Sequence, residues 1–136
     1  MVNLYTDGGA RGNPGHAAIG VVIQDENGKV LETISEYIGK ATNNIAEYIA
    51  LIRGLKKTSE MKHKEVACFL DSELVVKQLN NEYKLKNAEL AKLFIQIHNL
   101  RGQFKKVIFT HIDREKNKMA DRLVNDALNK QLRSSP

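Results

Sequence analysis

The chain has 136 residues, of which 42% are hydrophobic and 27% are charged. This length supports one well-buried core and is too short for two ordinary domains, so we expect a single domain. The formal net charge of +5 favours polyanionic partners such as nucleic acids, although many basic proteins bind none. One cysteine, Cys68, excludes an intramolecular disulfide and suits a reducing cytosol.

The sequence contains no segment typical of membrane insertion or secretion. No apolar stretch approaches the roughly 18 residues that a membrane span requires, and no cationic and apolar signal precedes residue 2. We therefore expect a cytoplasmic protein with no membrane partner. The predicted domain covers residues 1–132, followed by a loose tail at residues 133–136.

The first part of the chain predicts a meander of three antiparallel strands. Residues 2–7 are rich in strand formers and end at Asp7, after which the glycine-rich segment 8–15 is expected to end the strand. Residues 17–24 and 30–38 flank an Asn-Gly pair, which is typical of a tight hairpin turn.

Helices and strands alternate in the rest of the chain. Apolar side chains recur at helical spacing over residues 42–59 and predict an amphipathic helix on the sheet, with Glu47 at the border of its apolar stripe. The remaining predicted elements are a strand at 65–70, a helix ending at Leu79, a helix at 88–101, a strand at 106–112 and a helix at 118–132. The order βββαβααβα predicts an α/β fold with a mixed sheet flanked by helices.

Four carboxylates are candidates for a common site: Asp7, Glu47, Asp71 and Asp121. Two of them stand at the ends of predicted strands, where open α/β sheets place ligands, and two lie near the starts of helices beside those strands. Carboxylates about 5 Å apart repel by roughly 3 kcal/mol at an effective dielectric near 20, so a cluster requires protonation or cations. Oxygen ligands without clustered His or Cys select Mg²⁺ or Mn²⁺. Each acid alone also has a simpler explanation, as a helix cap or a solvated charge.

Four segments carry a resemblance to a known family. They are Thr-Asp-Gly-Gly at 6–9 with Gly-Asn-Pro-Gly at 12–15, Thr-Asn-Asn-Ile-Ala-Glu at 42–47, Asp-Ser-Glu-Leu-Val at 71–75 and Arg-Glu-Lys-Asn-Lys-Met-Ala-Asp at 114–121. With all four in this order, the sequence resembles the type 1 ribonucleases H over essentially the whole chain.

The resemblance implies a ribonuclease H-like fold with a five-stranded mixed sheet. It also implies an endoribonuclease that hydrolyses the RNA strand of RNA/DNA hybrids and leaves 5′-phosphate and 3′-hydroxyl ends. The four acids are then the catalytic and metal-binding residues, with two Mg²⁺ ions, or Mn²⁺ as a substitute, about 4 Å apart at the scissile phosphate. We expect the enzyme to be a monomer.

The resemblance also implies residues that contact the substrate. The candidates for reading the 2′-hydroxyl of RNA are backbone groups of Gly9 and Ala10 with the side chains of Asn43 and Asn44, and those for a DNA phosphate are Asn13 and Thr42. Turn and cap chemistry explains Asn13 and Thr42 as well. Position 73 is often glutamine in the family, so Glu73 lacks an amide donor for the RNA strand.

Two features depart from the family pattern. Many members carry a histidine in a flexible loop before the last acid, whereas this chain has a short loop at residues 113–117. Arg114 is the better candidate for steering the phosphate or the product, and His111 at a strand end is the lesser one. The alternative for Arg114 is a loop residue paired with a nearby acid. The segment between Leu79 and Ala88 is too short for the basic handle with which some members grip the hybrid.

Two other functions compete with this interpretation. The first is a related nuclease of broader specificity that also cuts duplex RNA, since the missing handle and the altered loop leave specificity open. The second is a binding module that retains the fold without catalysis. The presence of all four acids argues against a pure binder, because clustered anions facing phosphate weaken binding.

Overall fold

The computed structural model describes residues 1–82, 84–85 and 87–134. Its elements in chain order are β1 (Val2–Gly12), β2 (Gly15–Gln24), β3 (Val30–Ala41), α1 (Asn43–Glu60), β4 (Glu65–Leu70), α2 (Glu73–Leu79), α3 (Ala88–Arg101), β5 (Lys106–His111) and α4 (Lys118–Ser134). A 3₁₀ turn at Arg114–Lys116 connects β5 to α4. The predicted order of strands and helices is confirmed.

The five strands form one mixed sheet in the order β3-β2-β1-β4-β5. β1, β2 and β3 are antiparallel neighbours, as the meander predicts, while β4 pairs in parallel with both β1 and β5. Parallel neighbours need crossover connections, which α1 provides between β3 and β4 and which α2 and α3 provide between β4 and β5. The predicted α/β fold with a mixed sheet is therefore confirmed.

Helices cover the sheet on both faces. A Cβ at Gly8 would meet Ala46 of α1, whereas a Cβ at Gly9 would meet Val124 of α4. Successive strand residues point to opposite faces, so α1 and α4 lie on opposite sides of β1. The larger core lies on the α1 face and includes the fully buried Tyr48. The apolar stripe predicted for α1 is confirmed by the burial of Ile45, Tyr48, Ile52 and Leu55.

The prediction that the glycine-rich segment ends the first strand is wrong. β1 continues to Gly12 and pairs with β2 in an unbroken register to Gly12↔Gly15, so the turn itself is confined to Asn13 and Pro14. Gly8 serves close packing instead, because a Cβ there would lie 2.2 Å from the carbonyl carbon of Ala46. Asp7 therefore lies within β1 and not at its end.

Several expectations concern the ends of elements. α4 extends through residue 134, while the rest of the tail expected at residues 133–136 lies outside the described residues, and the domain boundary at residue 132 stays a prediction. In the connection between α2 and α3, the structure describes residues 80–82, 84–85 and 87, and none of these lies in a helix. Among the described residues, no helix combines the length and apolar character that a membrane crossing demands.

Candidate active site

Asp7 and Asp71 come together because β1 and β4 run in parallel. The last pair between these strands is Tyr5↔Phe69, and the two aromatic rings stack with their centroids 5.0 Å apart. Each acid follows one of these aromatic residues by two positions. Since side chains alternate along a strand, both acids project from the same face as the stacked rings.

Glu47 reaches the two aspartates from α1. The side chain of Thr42 caps this helix by accepting a hydrogen bond from the backbone N–H of Ile45 at 3.2 Å. The absence of a Cβ at Gly8 lets the first turn of α1 lie directly against β1. Glu47 lies where α1 contacts Gly8. Its Oε2 atom is buried without a hydrogen-bond partner.

Asp121 lies on the first turn of α4 and reaches the cluster from the face of the sheet opposite to α1. A Cβ at Gly20 would lie 2.1 Å from the carbonyl oxygen of Ala120, so only glycine permits α4 to pack this closely on β2. The carboxyl of Asp121 shares a hydrogen bond with Asp7. Its Oδ1 atom lies 3.8 Å from Nη2 of Arg114, and the Asp121 side chain is 33% exposed.

The acids form a cluster with an unusual electrostatic state. One carboxylate oxygen from each of Asp7, Glu47 and Asp71 lies within 4.8 Å of the other two. Burial, followed by the charges of Asp71 and Asp121, raises the pKa of Asp7 to about 8. Burial and the charge of Asp71 raise the pKa of Glu47 to about 7, against a hydrogen bond from Ser72 that lowers it.

These properties fit a divalent metal ion. Without a cation, two buried carboxyls of the cluster hold protons near neutral pH, and the Oε2 atom of Glu47 lacks a hydrogen-bond donor. A hard cation supplies both the missing partner and the missing positive charge. The ligand atoms are all oxygens, which favours Mg²⁺ or Mn²⁺ over Zn²⁺.

The acids open onto a groove with a volume of about 460 Å³. Eight of the residues that the sequence predicts for the site line it: Asp7, Gly9, Ala10, Asn43, Glu47, Asp71, Arg114 and Asp121. The Arg114 side chain is 82% exposed at the edge of this groove. The structure therefore brings together all four predicted acids and the predicted arginine.

Hydrogen bonds join the candidate substrate contacts around the start of α1. The backbone N–H of Ala10 donates to Oδ1 of Asn43 at 2.8 Å, and the backbone N–H of Asn43 donates to Oδ1 of Asn13 at 3.1 Å. These bonds tie the β1–β2 hairpin to the helix. Asn13 and Thr42 thus have the turn and cap roles that the sequence indicated, and the Nδ2 amide of Asn43 has no partner among the described residues.

Five candidates do not line the groove: Asn13, Thr42, Asn44, Glu73 and His111. Asn44 is half-buried on α1 and does not line it. Glu73 is exposed at the start of α2, where its carboxylate pairs with the Lys77 ammonium at 3.0 Å. His111 is exposed at the end of β5. Neither Glu73 nor His111 lines the groove.

Sequence reasoning assigned no site role to four polar residues that contact the acids or line the groove: Arg11, Ser72, Asn117 and Asn125. Ser72 had a visible signal, since it directly follows Asp71. Asn117 lies within the motif that ends at Asp121. Its side-chain hydrogen bonds, however, are to residues far away in the chain.

Comparisons with known proteins agree with this architecture. A family model described as reverse transcriptase-like matches residues 5–127. A bifunctional protein of Mycobacterium tuberculosis is 41% identical over 128 residues, which cover 93% of this chain and 35% of that protein. The chain thus spans about a third of the length of that curated relative.

Two solved structures extend the comparison. RNase H1 from Halobacterium salinarum is 36% identical with a TM-score of 0.93, and the match covers 95% of this chain and 98% of that one. LC11-RNase H1, isolated from compost and solved with an RNA/DNA hybrid, is 47% identical with a TM-score of 0.93. That match covers 97% of this chain and 99% of the other.

The fold and the carboxylate cluster define an RNase H-like α/β protein with an acidic centre. The matched model and the near-complete coverage of a 36% identical RNase H1 identify the family. The chain belongs to the ribonuclease H family.

Proposed function

We propose that the chain is an endoribonuclease that hydrolyses the RNA strand of RNA/DNA hybrids and leaves 5′-phosphate and 3′-hydroxyl ends. The observation that carries the proposal is the cluster of Asp7, Glu47 and Asp71, whose carboxylate oxygens lie within 4.8 Å of one another in a groove. Family membership and the hybrid bound by LC11-RNase H1 support the choice of substrate.

Four acids would hold the metal centre. Asp7, Glu47 and Asp71 provide the clustered oxygens, and Asp121 completes the rim through its hydrogen bond to Asp7. When bound, Mg²⁺ or Mn²⁺ ions supply charge stabilisation at the scissile phosphate and lower the pKa of an attacking water. The fold would fix where the ions lie, because β1, the end of β4, α1 and α4 hold the four carboxylates on one rim.

Strand choice is proposed to depend on the start of α1. Only RNA presents a 2′-hydroxyl in the shallow minor groove of a hybrid. The Oδ1 atom of Asn43 accepts a hydrogen bond from the backbone N–H of Ala10. The amide N–H groups of Asn43 can therefore donate to that hydroxyl. Gly9 and Asn44 are neighbouring candidates, while Asn13 and Thr42 would hold the DNA strand near the hairpin.

The test is a cleavage assay with an end-labelled RNA/DNA hybrid in Mg²⁺, Mn²⁺ or chelator. Duplex RNA, duplex DNA and both single strands serve as comparison substrates. The proposal expects metal-dependent cutting of the RNA strand of the hybrid alone. Cutting of duplex RNA as well would establish the broader nuclease, and binding of the hybrid without cutting in either metal would establish a binding module.

Arg114 is proposed to steer the phosphate or the departing product, and Arg114→Ala is expected to lower kcat/KM by up to about fivefold. Exposed ionic contacts contribute about 0.2–1 kcal/mol, and 1.36 kcal/mol corresponds to a tenfold change in rate. Steady-state kinetics on the hybrid measure the effect. Arg114→Lys, which keeps the charge, should lose less; equal activity of the alanine variant and the wild type would make Arg114 a surface residue only.

Two further properties stay predictions. The chain is expected to be a monomer, which sedimentation or light scattering would test. A cytoplasmic location is expected from the sequence, and fractionation of cells would test it.

A further inference from the structure

Asn117 is a buried polar residue beside the acidic cluster. It directly precedes α4, and the residue is 2% exposed. Its Nδ2 atom donates two hydrogen bonds, one to the backbone oxygen of Thr6 at 2.9 Å and one to Oδ2 of Asp71 at 3.0 Å. One amide group therefore joins β1 to the end of β4.

The orientation of this amide follows from its partners. A backbone carbonyl and a carboxylate only accept hydrogen bonds, so the nitrogen of Asn117 must face them. The Oδ1 atom is then left buried without a hydrogen-bond partner. The two donated bonds are consequently the feature that explains an asparagine here.

Asn117 is connected to three of the four acids. Thr6 immediately precedes Asp7, and Asp71 accepts directly from the amide. The backbone N–H of Asp121 donates to the carbonyl oxygen of Asn117 at 3.1 Å and begins α4. Carboxylates in a cluster repel one another, so an uncharged donor fixed at the same time to β1 and to Asp71 resists their separation.

We propose that Asn117 is a positioning residue that holds Asp71 at its distance from β1, so that the carboxylate cluster stays assembled for a divalent cation. The inference rests on the proposed role of the cluster as a metal centre. It concerns metal binding by the protein alone and does not depend on which nucleic acid is cut. Residues that orient metal ligands typically change metal affinity by about 10- to 100-fold when they are replaced.

The test compares Asn117→Leu with a matched variant outside the site. Leucine has a similar size and donates no hydrogen bond. Asn80→Leu is the control, because Nδ2 of Asn80 also donates to a backbone carbonyl, that of Phe109 at 3.4 Å, and Asn80 does not line the groove. Binding of Mg²⁺ and Mn²⁺ is measured by calorimetry without nucleic acid, and thermal unfolding is measured in chelator.

The expected result is metal binding weaker by about 10- to 100-fold in Asn117→Leu and unchanged in Asn80→Leu. In cleavage assays the metal concentration for half-maximal activity should rise, while KM for the hybrid at saturating metal stays near the wild-type value. Asn117→Ser, which keeps one donor, should be intermediate and replaces the leucine variant if that variant does not fold.

Unchanged metal affinity in Asn117→Leu and Asn117→Ser, with only a lower melting temperature, would overturn the inference and leave a structural role. Wild-type protein that binds metal but does not cut the hybrid would refute the proposed substrate and leave the role of Asn117 open to the same calorimetric test. Wild-type protein that binds neither Mg²⁺ nor Mn²⁺ would refute both.

Discussion

Asp71→Asn is expected to lower cleavage of the hybrid by about 1000-fold or more while the protein stays folded. Asparagine has the shape of aspartate, and its side-chain oxygen can still accept the hydrogen bond from Asn117. What is lost is one negative charge and one ligand oxygen. A metal centre supplies several kcal/mol of transition-state stabilisation, and 1.36 kcal/mol corresponds to a factor of ten in rate.

Single-turnover cleavage at saturating metal measures this loss without interference from product release. Asp126→Asn is the control, because Asp126 is an exposed acid on α4 and does not line the groove. The control should cut at the wild-type rate. An Asp71→Asn protein whose rate stays within tenfold of the wild type would remove Asp71 from the metal centre.

The contrast between the net charge of the chain and the charge of the site would account for the expected dependence of cleavage on metal. The chain carries a formal net charge of +5, yet four acids share one rim of the sheet. Basic residues elsewhere attract the nucleic acid as a polyanion, while the acids alone would repel the phosphate to be cut. Divalent cations bound by the acids would reverse the sign of the local charge and make the groove attractive to that phosphate.

The order of elements and the four acids were predictable from the sequence because the signals are local. Hydrophobic periodicity identified α1 and placed Glu47 at the edge of its buried stripe. Asp71 could be located from the strand that precedes it. Parallel pairing of β1 with β4 then brings Asp7 and Asp71 to one level of the sheet, as the general geometry of such sheets requires.

The length of β1 was not predictable, because a glycine in a sequence is compatible both with a loop and with close packing inside a strand. Gly8 indicated a loop, but in the structure it remains in a strand and makes room for α1. The role of Asn117 was hidden for another reason. Its partners Thr6 and Asp71 are 111 and 46 residues away in the chain, so no local pattern records these hydrogen bonds.

The metal-free protein is expected to lose stability as the pH rises through the range from about 4 to about 8. The pKa of Asp7 is about 8 in the folded chain against an ordinary value of 3.8, and that of Glu47 is about 7 against 4.5. Between these values the folded state binds more protons than the unfolded state. The contribution of these two groups to stability is therefore fully present below their unfolded pKa values and is lost as the pH rises through their folded values.

Asp7→Asn should remove much of this loss and raise the melting temperature of the metal-free protein at pH 8.5 by about 4 °C or more. Even one pKa unit corresponds to about 1.4 kcal/mol, and 1 kcal/mol shifts the melting temperature of a domain this size by roughly 3–5 °C. Thermal unfolding in chelator at pH 5.5 and 8.5 measures the effect, and the difference between variant and wild type cancels the other titrating groups. At pH 8.5 added Mg²⁺ should stabilise the wild type more than Asp7→Asn, because the anionic cluster binds the cation. If Asp7→Asn were less stable than the wild type at both pH values, the prediction would be wrong. Asp7 would then stabilise the fold, and its carboxylate would not lower the stability of the metal-free protein.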